Sequence, residues 1–281
     1  MSMTDRAWGS AWRWAVIVAF CASTSSAIGD GAFRPDDNHT FRPTVIVLRG
    51  TSQGSGTVIA SVPGETLVLT AAHVLEAGGQ AFVEVHRYNL ALENKRSSNG
   101  WPKKVPAKVV ATDPAADVAI LRLEGFQAMP FVAKVTIGPD EPELGTGVIS
   151  VGVDRGAKLS SWPTKIIEHA SIDMEKGGGV RPFLLTTTPP DFGRSGGGLF
   201  ATDGRVVGVC VGRAEPANAR RVGIFASTAS IHRILREHHL DTNVARSVAR
   251  RLPKNPTVER TKGTVPAPPE PTPPPPAPRL R

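Results

Sequence analysis

The chain has 281 residues, enough for one large or two modest domains with a sizeable buried core. Its 28 glycines and 25 prolines, set around short apolar runs, indicate a β-rich protein, and its two cysteines exclude a disulfide framework. The formal net charge of +8 is concentrated towards the C-terminal end, where it favours acidic surfaces such as anionic lipid or cell-wall polymer.

Residues 1–27 read as a secretory signal. Arg6 and Arg13 form a positive n-region, Trp14–Ala22 is a short apolar stretch, and Ser25 and Ala27 allow cleavage after Ala27. The apolar stretch falls short of the about 20 residues that span a bilayer, so export to the periplasm or beyond is expected. A retained signal anchor, with envelope association, is the other reading. Phe20 is too bulky to precede a lipidated Cys21. Residues 28–43 are polar and irregular.

From Thr44 the pattern is of short strands separated by turn residues. The first half offers Thr44–Leu48, Thr57–Ala60, Thr66–Thr70, Phe82–Val85, Ala107–Ala111 and Val118–Leu123, with a helical turn through Val74–Glu76 and an exposed loop over Asn94–Lys104. The second half repeats it with Gly147–Val151, Ser161–Ile167, Phe183–Thr187, Gly198–Phe200, Val206–Val211 and Val222–Ala226. Ser230–His239 carries Ile231, Ile234 and Leu235 at helical spacing. Strand number alone allows a sandwich or a pair of barrels. From Asp241 to Arg281 the chain turns basic and then proline-rich, and is expected to be a disordered, extended tail.

Three segments carry chemistry, in this order: Leu-Thr-Ala-Ala-His at Leu69–His73, Asp-Val-Ala-Ile-Leu at Asp117–Leu121, and Gly-Arg-Ser-Gly-Gly at Gly193–Gly197. They supply a general base, an orienting carboxylate and a nucleophile. Glycines around Ser195 permit a sharp turn whose backbone N–H groups can share one space. The other histidines have no comparable context. Asp113 and Asp117 both lie in Asp-Pro-Ala-Ala-Asp; Asp113 precedes proline, where a side chain commonly stabilises a turn, whereas Asp117 leads directly into the strand. No metal-binding motif is visible, and this chemistry requires no metal or organic cofactor.

The order and flanking residues of these segments resemble the trypsin-like serine peptidases, in particular the bacterial HtrA/Deg branch, over about Thr44–Leu240. The resemblance implies an all-β fold of two six-stranded antiparallel β-barrels, the active site between them and a short C-terminal helix closing the domain. It implies His73, Asp117 and Ser195 as catalytic residues and the N–H groups of Gly193 and Ser195 as the oxyanion hole. Pro189, six residues before Ser195, stands where trypsins place an acidic selector for Lys or Arg. With Cys210, Val211 and Gly212 as further pocket residues, cleavage after small or medium aliphatic residues is expected. Arg194 replaces the aspartate of digestive trypsins and the asparagine common in HtrA enzymes, so activation by a newly cut N-terminus is not expected. HtrA proteins typically append a PDZ domain; the stretch after Leu240 is too short and too polar for one.

The expected function is therefore an exported serine endopeptidase acting on polypeptides. A catalytically silent relative that binds through the cleft or tail, as a chaperone or envelope module, is the alternative, and an esterase using the same three residues is a third. An α/β-hydrolase is disfavoured because its serine comes first in the chain. No specific nucleic-acid partner is expected, and the oligomeric state is not readable.

Overall fold

The computed structural model describes residues 37–251 apart from 97–98, 126, 137, 139, 156–157, 174–178 and 216–219. The expected signal segment and the proline-rich part of the tail lie outside the described residues.

The first half forms β1 (Thr44–Arg49), β2 (Ser52–Val62), β3 (Glu65–Thr70), β4 (Ala81–Val85), β5 (Lys103–Asp113) and β6 (Val118–Glu124). These pair antiparallel in the order β1-β2-β3-β6-β5-β4, and β4 returns to β1, closing a barrel. After β7 (Lys134–Val135) the second half forms β8 (Gly147–Asp154), β9 (Lys158–Ile172), β10 (Arg181–Thr186), β11 (Gly198–Phe200), β12 (Arg205–Ala214) and β13 (Val222–Ser227). Their order is β11-β8-β9-β10-β13-β12-β7, and an additional β11–β12 pairing brings six of them round into a second ring. β7 adds in parallel to β12.

Several strands read as unbroken apolar runs because both of their faces are covered. In β3, Val68 points into the first barrel with Val45, Val47, Val83 and Leu121. Its neighbours Leu67 and Leu69 join Ile120, Phe183, Val209 and Ile224 in a cluster that joins the two halves. The second barrel has its own interior, built from Val148, Ile166, Leu184, Leu199, Val207 and Phe225. Each such side chain, fully buried, contributes roughly 1.5–3 kcal/mol relative to exposure.

Two helices follow β13. The first, α1 (Thr228–Glu237), sets Ile231, Ile234 and Leu235 onto the joining cluster, as its spacing predicts. The second, α2 (Asp241–Arg251), corrects the expectation of an irregular tail from Asp241. It packs back on β2 of the first barrel, where buried Ser247 accepts a hydrogen bond from the Ser61 N–H at 2.9 Å. Arg251 donates to the carbonyls of Met129 and Pro130 at 2.8 and 2.7 Å. Val244 adds a partly buried contact with the joining cluster, but Val248 one turn on is exposed, so the segment shows only a short apolar signal.

Candidate active site

β3 ends at Thr70, and the chain enters a short 3-10 turn over Ala72–Leu75 that carries His73. Val74 and Leu75 bury themselves in the first barrel, which fixes the turn and leaves the His73 side chain 36% exposed. Across the β5–β6 connection, Asp113 Oδ1 accepts from the N–H groups of Ala115 and Ala116 at 3.1 and 3.2 Å, winding a tight turn. The turn ends with Asp117 at φ +55°, a left-handed conformation that aspartate tolerates better than most residues.

That conformation aims the whole residue at His73. The Asp117 carbonyl accepts from the Ala72 N–H at 3.2 Å, and Oδ1 accepts from the His73 N–H at 2.8 Å. Oδ2 accepts from the His73 ring Nδ1–H at 2.6 Å. With its side chain only 5% exposed, Asp117 offers a sealed carboxylate to a ring that is open on its other side. A carboxylate on Nδ1–H selects the tautomer whose Nε2 is the basic nitrogen. Asp113 is placed differently: its Oδ2 accepts from Arg181 Nε of β10 at 3.0 Å, tying the first barrel to the second.

Ser195 lies in the loop from Asp191 to Gly197, between β10 and β11. Gly54 and Gly196 bring this loop against the first barrel. A Cβ on Gly54 would stand 2.6 Å from the Val74 side chain and 2.8 Å from the Ser195 carbonyl. A Cβ on Gly196, at φ +84°, would run into the Ser55 carbonyl and the Thr70 hydroxyl. The Ser195 turn is thus packed directly beside the segment that carries His73.

The five carbonyls from Asp191 to Ser195 are all taken. Asp191 accepts from the Arg194 N–H at 3.4 Å, Phe192 from the Arg155 N–H at 2.7 Å, and Arg194 from the Gly197 N–H at 2.8 Å. The Ser195 carbonyl accepts from the Ser55 N–H at 2.7 Å, and the Gly193 carbonyl from the Ser55 hydroxyl at 2.9 Å. Among the described residues, the Gly193 and Ser195 N–H groups donate to no backbone carbonyl. Because a trans peptide points its N–H opposite to its C=O, anchoring the Phe192 carbonyl on Arg155 turns the Gly193 N–H the other way. Two donors beside a serine hydroxyl can receive an oxygen that gains negative charge.

Arg194 itself is fully buried. Its Nε and Nη2 donate to Asp154 Oδ1 and Oδ2 at 3.0 and 3.1 Å, and Nη1 to Ser150 Oγ at 3.2 Å. The guanidinium lies over the Trp162 ring, 3.3 Å from its centroid. Burial pulls its pKa down, opposed by Asp154.

Of the expected pocket residues, Pro189 lines a shallow groove with Trp162, Thr188, Pro190, Asp191, Arg213 and Arg221. Cys210 is fully buried among Val148, Leu199 and Phe225, and burial pushes its thiol up to about 12. Its backbone serves the Ser195 loop, accepting from the Gly196 N–H at 2.7 Å and donating to the Gly197 carbonyl at 2.8 Å. Val211 is the bulged residue between Cys210 and Gly212 in the β12–β13 ladder, and it packs partly onto the joining cluster. Sequence reasoning missed Ser55 and Asp154, which hold the loop; neither stands in a recognisable motif, and each acts across a long chain separation.

A double-barrel β fold with a histidine, a carboxylate and a glycine-flanked serine at the seam defines the class. The family profile of the trypsin-like peptidase domain matches residues 54–209, more than half of the chain, and the chain belongs to that family. The Do-like serine protease HtrA of Bacillus subtilis is 29% identical over 163 residues, covering 56% of this chain and 32% of the relative. A probable periplasmic DegP-like serine endoprotease of Pseudomonas putida is 33% identical over 159 residues, covering 56% and 28%. The chain thus spans about a third of the length of the curated relatives it matches. Among solved structures, the active form of the Rv3671c protease from M. tuberculosis gives a TM-score of 0.57 at 22% identity, covering 79% of this chain and 93% of that one. A serine endoprotease from Yersinia pestis gives 0.54 at 21%, covering 73% and 66%. At these identities the structural likeness is one of fold.

Proposed function

We propose that the protein is an exported serine endopeptidase that cleaves polypeptides through Ser195, His73 and Asp117. The observation that carries this reading is the 2.6 Å bond from the His73 ring to sealed Asp117, on a turn whose Val74 lies against the same glycine as the Ser195 carbonyl. His73 Nε2 takes the Ser195 hydroxyl proton as Oγ attacks the scissile carbonyl. The Gly193 and Ser195 N–H groups stabilise the oxyanion, a role in which one donor is worth about 2.7–4 kcal/mol. Collapse breaks the C–N bond, His73 protonates the departing amine, and an acyl-enzyme remains. Water, deprotonated by the same imidazole, then releases the acid and restores the serine. Asp117 keeps the ring in place and stabilises the imidazolium.

Export is supported by the leader pattern at 1–27 and by relatives named as periplasmic endoproteases. Pro189, in place of an acidic side chain, supports cleavage after small or medium aliphatic residues rather than after Lys or Arg.

Labelling of the mature protein with a fluorophosphonate tests the central claim, because such a probe reports an activated serine without the right substrate. Wild type should label, and Ser195→Ala and His73→Ala should not. A folded wild type that stays unlabelled, or a His73→Ala protein that labels equally well, would sink the reading.

A further inference from the structure

A guanidinium directly before the nucleophile, closed off from water, is costly. Removing an ion of this size from solvent costs several kcal/mol after relaxation, so its partners must be in place whenever the loop has this shape. Arg194 has them: both oxygens of Asp154, the Ser150 hydroxyl, the Ser160 carbonyl at 3.4 Å and the face of Trp162. Gly152 leaves the room, since a Cβ there would stand 2.8 Å from Arg194 Cγ.

The end of β8 grips the loop at three consecutive residues. The Val153 N–H donates to the Ser55 hydroxyl at 2.8 Å, and that hydroxyl donates to the Gly193 carbonyl. Asp154 holds the Arg194 side chain. The Arg155 N–H holds the Phe192 carbonyl. Phe192, Gly193 and Arg194 are therefore each tied to one short stretch of a rigid strand end. Without the central tie, the exposed Phe192–Gly193 peptide can rotate. Rotation would aim a carbonyl where the Gly193 N–H now points, exchanging a donor for an acceptor.

We propose that Arg194, through Asp154, is a positioning residue that holds the Asp191–Gly197 loop with the Gly193 and Ser195 N–H groups converged. The oxyanion site is then built by an internal ion pair and stands ready before substrate arrives. The kinetic part of this inference rests on the serine-peptidase reading; the part concerning loop order does not.

Two measurements on the full chain test it, amide hydrogen exchange of the 190–197 segment and the rate of fluorophosphonate labelling. In Asp154→Asn the segment should exchange at least about tenfold faster while β3 and β6 keep their protection. Labelling should slow by about 10²–10³, as for loss of one oxyanion donor, and peptide hydrolysis should lose kcat with KM nearly unchanged. Arg194→Lys, which keeps the charge but not the two-pronged bond, should fall between. Added guanidinium should restore part of the rate in Arg194→Ala and none in wild type. Wild-type exchange and labelling in a folded Asp154→Asn would overturn the proposal. So would protection lost in all strands together, which marks the pair as general scaffolding. A wild type with a protected loop that fails to label would count against the peptidase reading instead, leaving loop order to be judged by exchange.

Discussion

The two barrels deliver their groups to the site by different means. The first aims side chains. One left-handed residue, Asp117, orients His73 with its carboxylate through bonds of 2.8 and 2.6 Å. The second aims backbone N–H groups, and a backbone has no rotamer to choose. Five successive carbonyls from Asp191 to Ser195 are tied down, and an arginine is buried beside the loop. A side chain can be oriented by a single partner, whereas a peptide group is oriented only by fixing the chain on both sides of it.

This contrast can be broken most directly at the first barrel. Asp117→Asn keeps the shape but not the charge, and should lower kcat by about 10⁴ with little loss of stability. Peptide hydrolysis and a thermal melt on one sample check both halves. A melt that drops in step with kcat would show that the residue is part of the frame. Asp113→Asn, four residues earlier, should do the reverse. It leaves largely buried Arg181 without its carboxylate, costing about 3 kcal/mol of folding free energy, while labelling per folded molecule stays at the wild-type rate. Urea titration and active-site labelling separate the two.

The smallest effect sharpens the picture of the second barrel's outer layer. His232 on α1 holds Thr136 Oγ1 at 2.9 Å, and burial, with Arg236 nearby, pulls its pKa below the ordinary value. The unfolded chain therefore takes up this proton at a higher pH than the folded one. Stability is undiminished above about 6.5, the unfolded value, and falls as pH drops below it towards the folded value. The urea midpoint should fall less between pH 7.5 and 5.5 in His232→Gln than in wild type. Equal losses would show that other groups carry the acid sensitivity.

Most of the strand framework was legible in the chain because β-branched runs alternate with turn residues at nearly every connection. Thr44–Leu48, Val118–Leu123 and Gly198–Phe200 fall inside β1, β6 and β11. The geometric distinction between Asp113 and Asp117 was legible too, since a residue before proline winds the turn and the residue entering the strand faces its neighbour. What stayed hidden depends on long-range partners. Arg194 meets Asp154 forty residues away, and nothing local marks that carboxylate. Cys210 lies in the apolar run Val206–Val211, where a thiol reads as a small buried hydrophobe and is one, but the run does not reveal that its backbone serves the loop. The helix α2 offers only Val244 and Val248 to a reader of hydrophobic spacing, because its seat on β2 is built from Ser247 and carbonyl contacts.

That seat has a consequence for how the molecule is assembled during synthesis. Ser247 and Ser61 are 186 residues apart, yet they share a buried hydrogen bond. Residues of β2 that emerge early from the ribosome wait for a partner made after both barrels have been translated. The first barrel can pair its own strands as soon as β6 appears, but the part of β2 around Ser61 stays uncovered until α2 is released. Docking of that helix is therefore a late, order-completing event, which links the maturity of the first-made half to the last described turn of the chain.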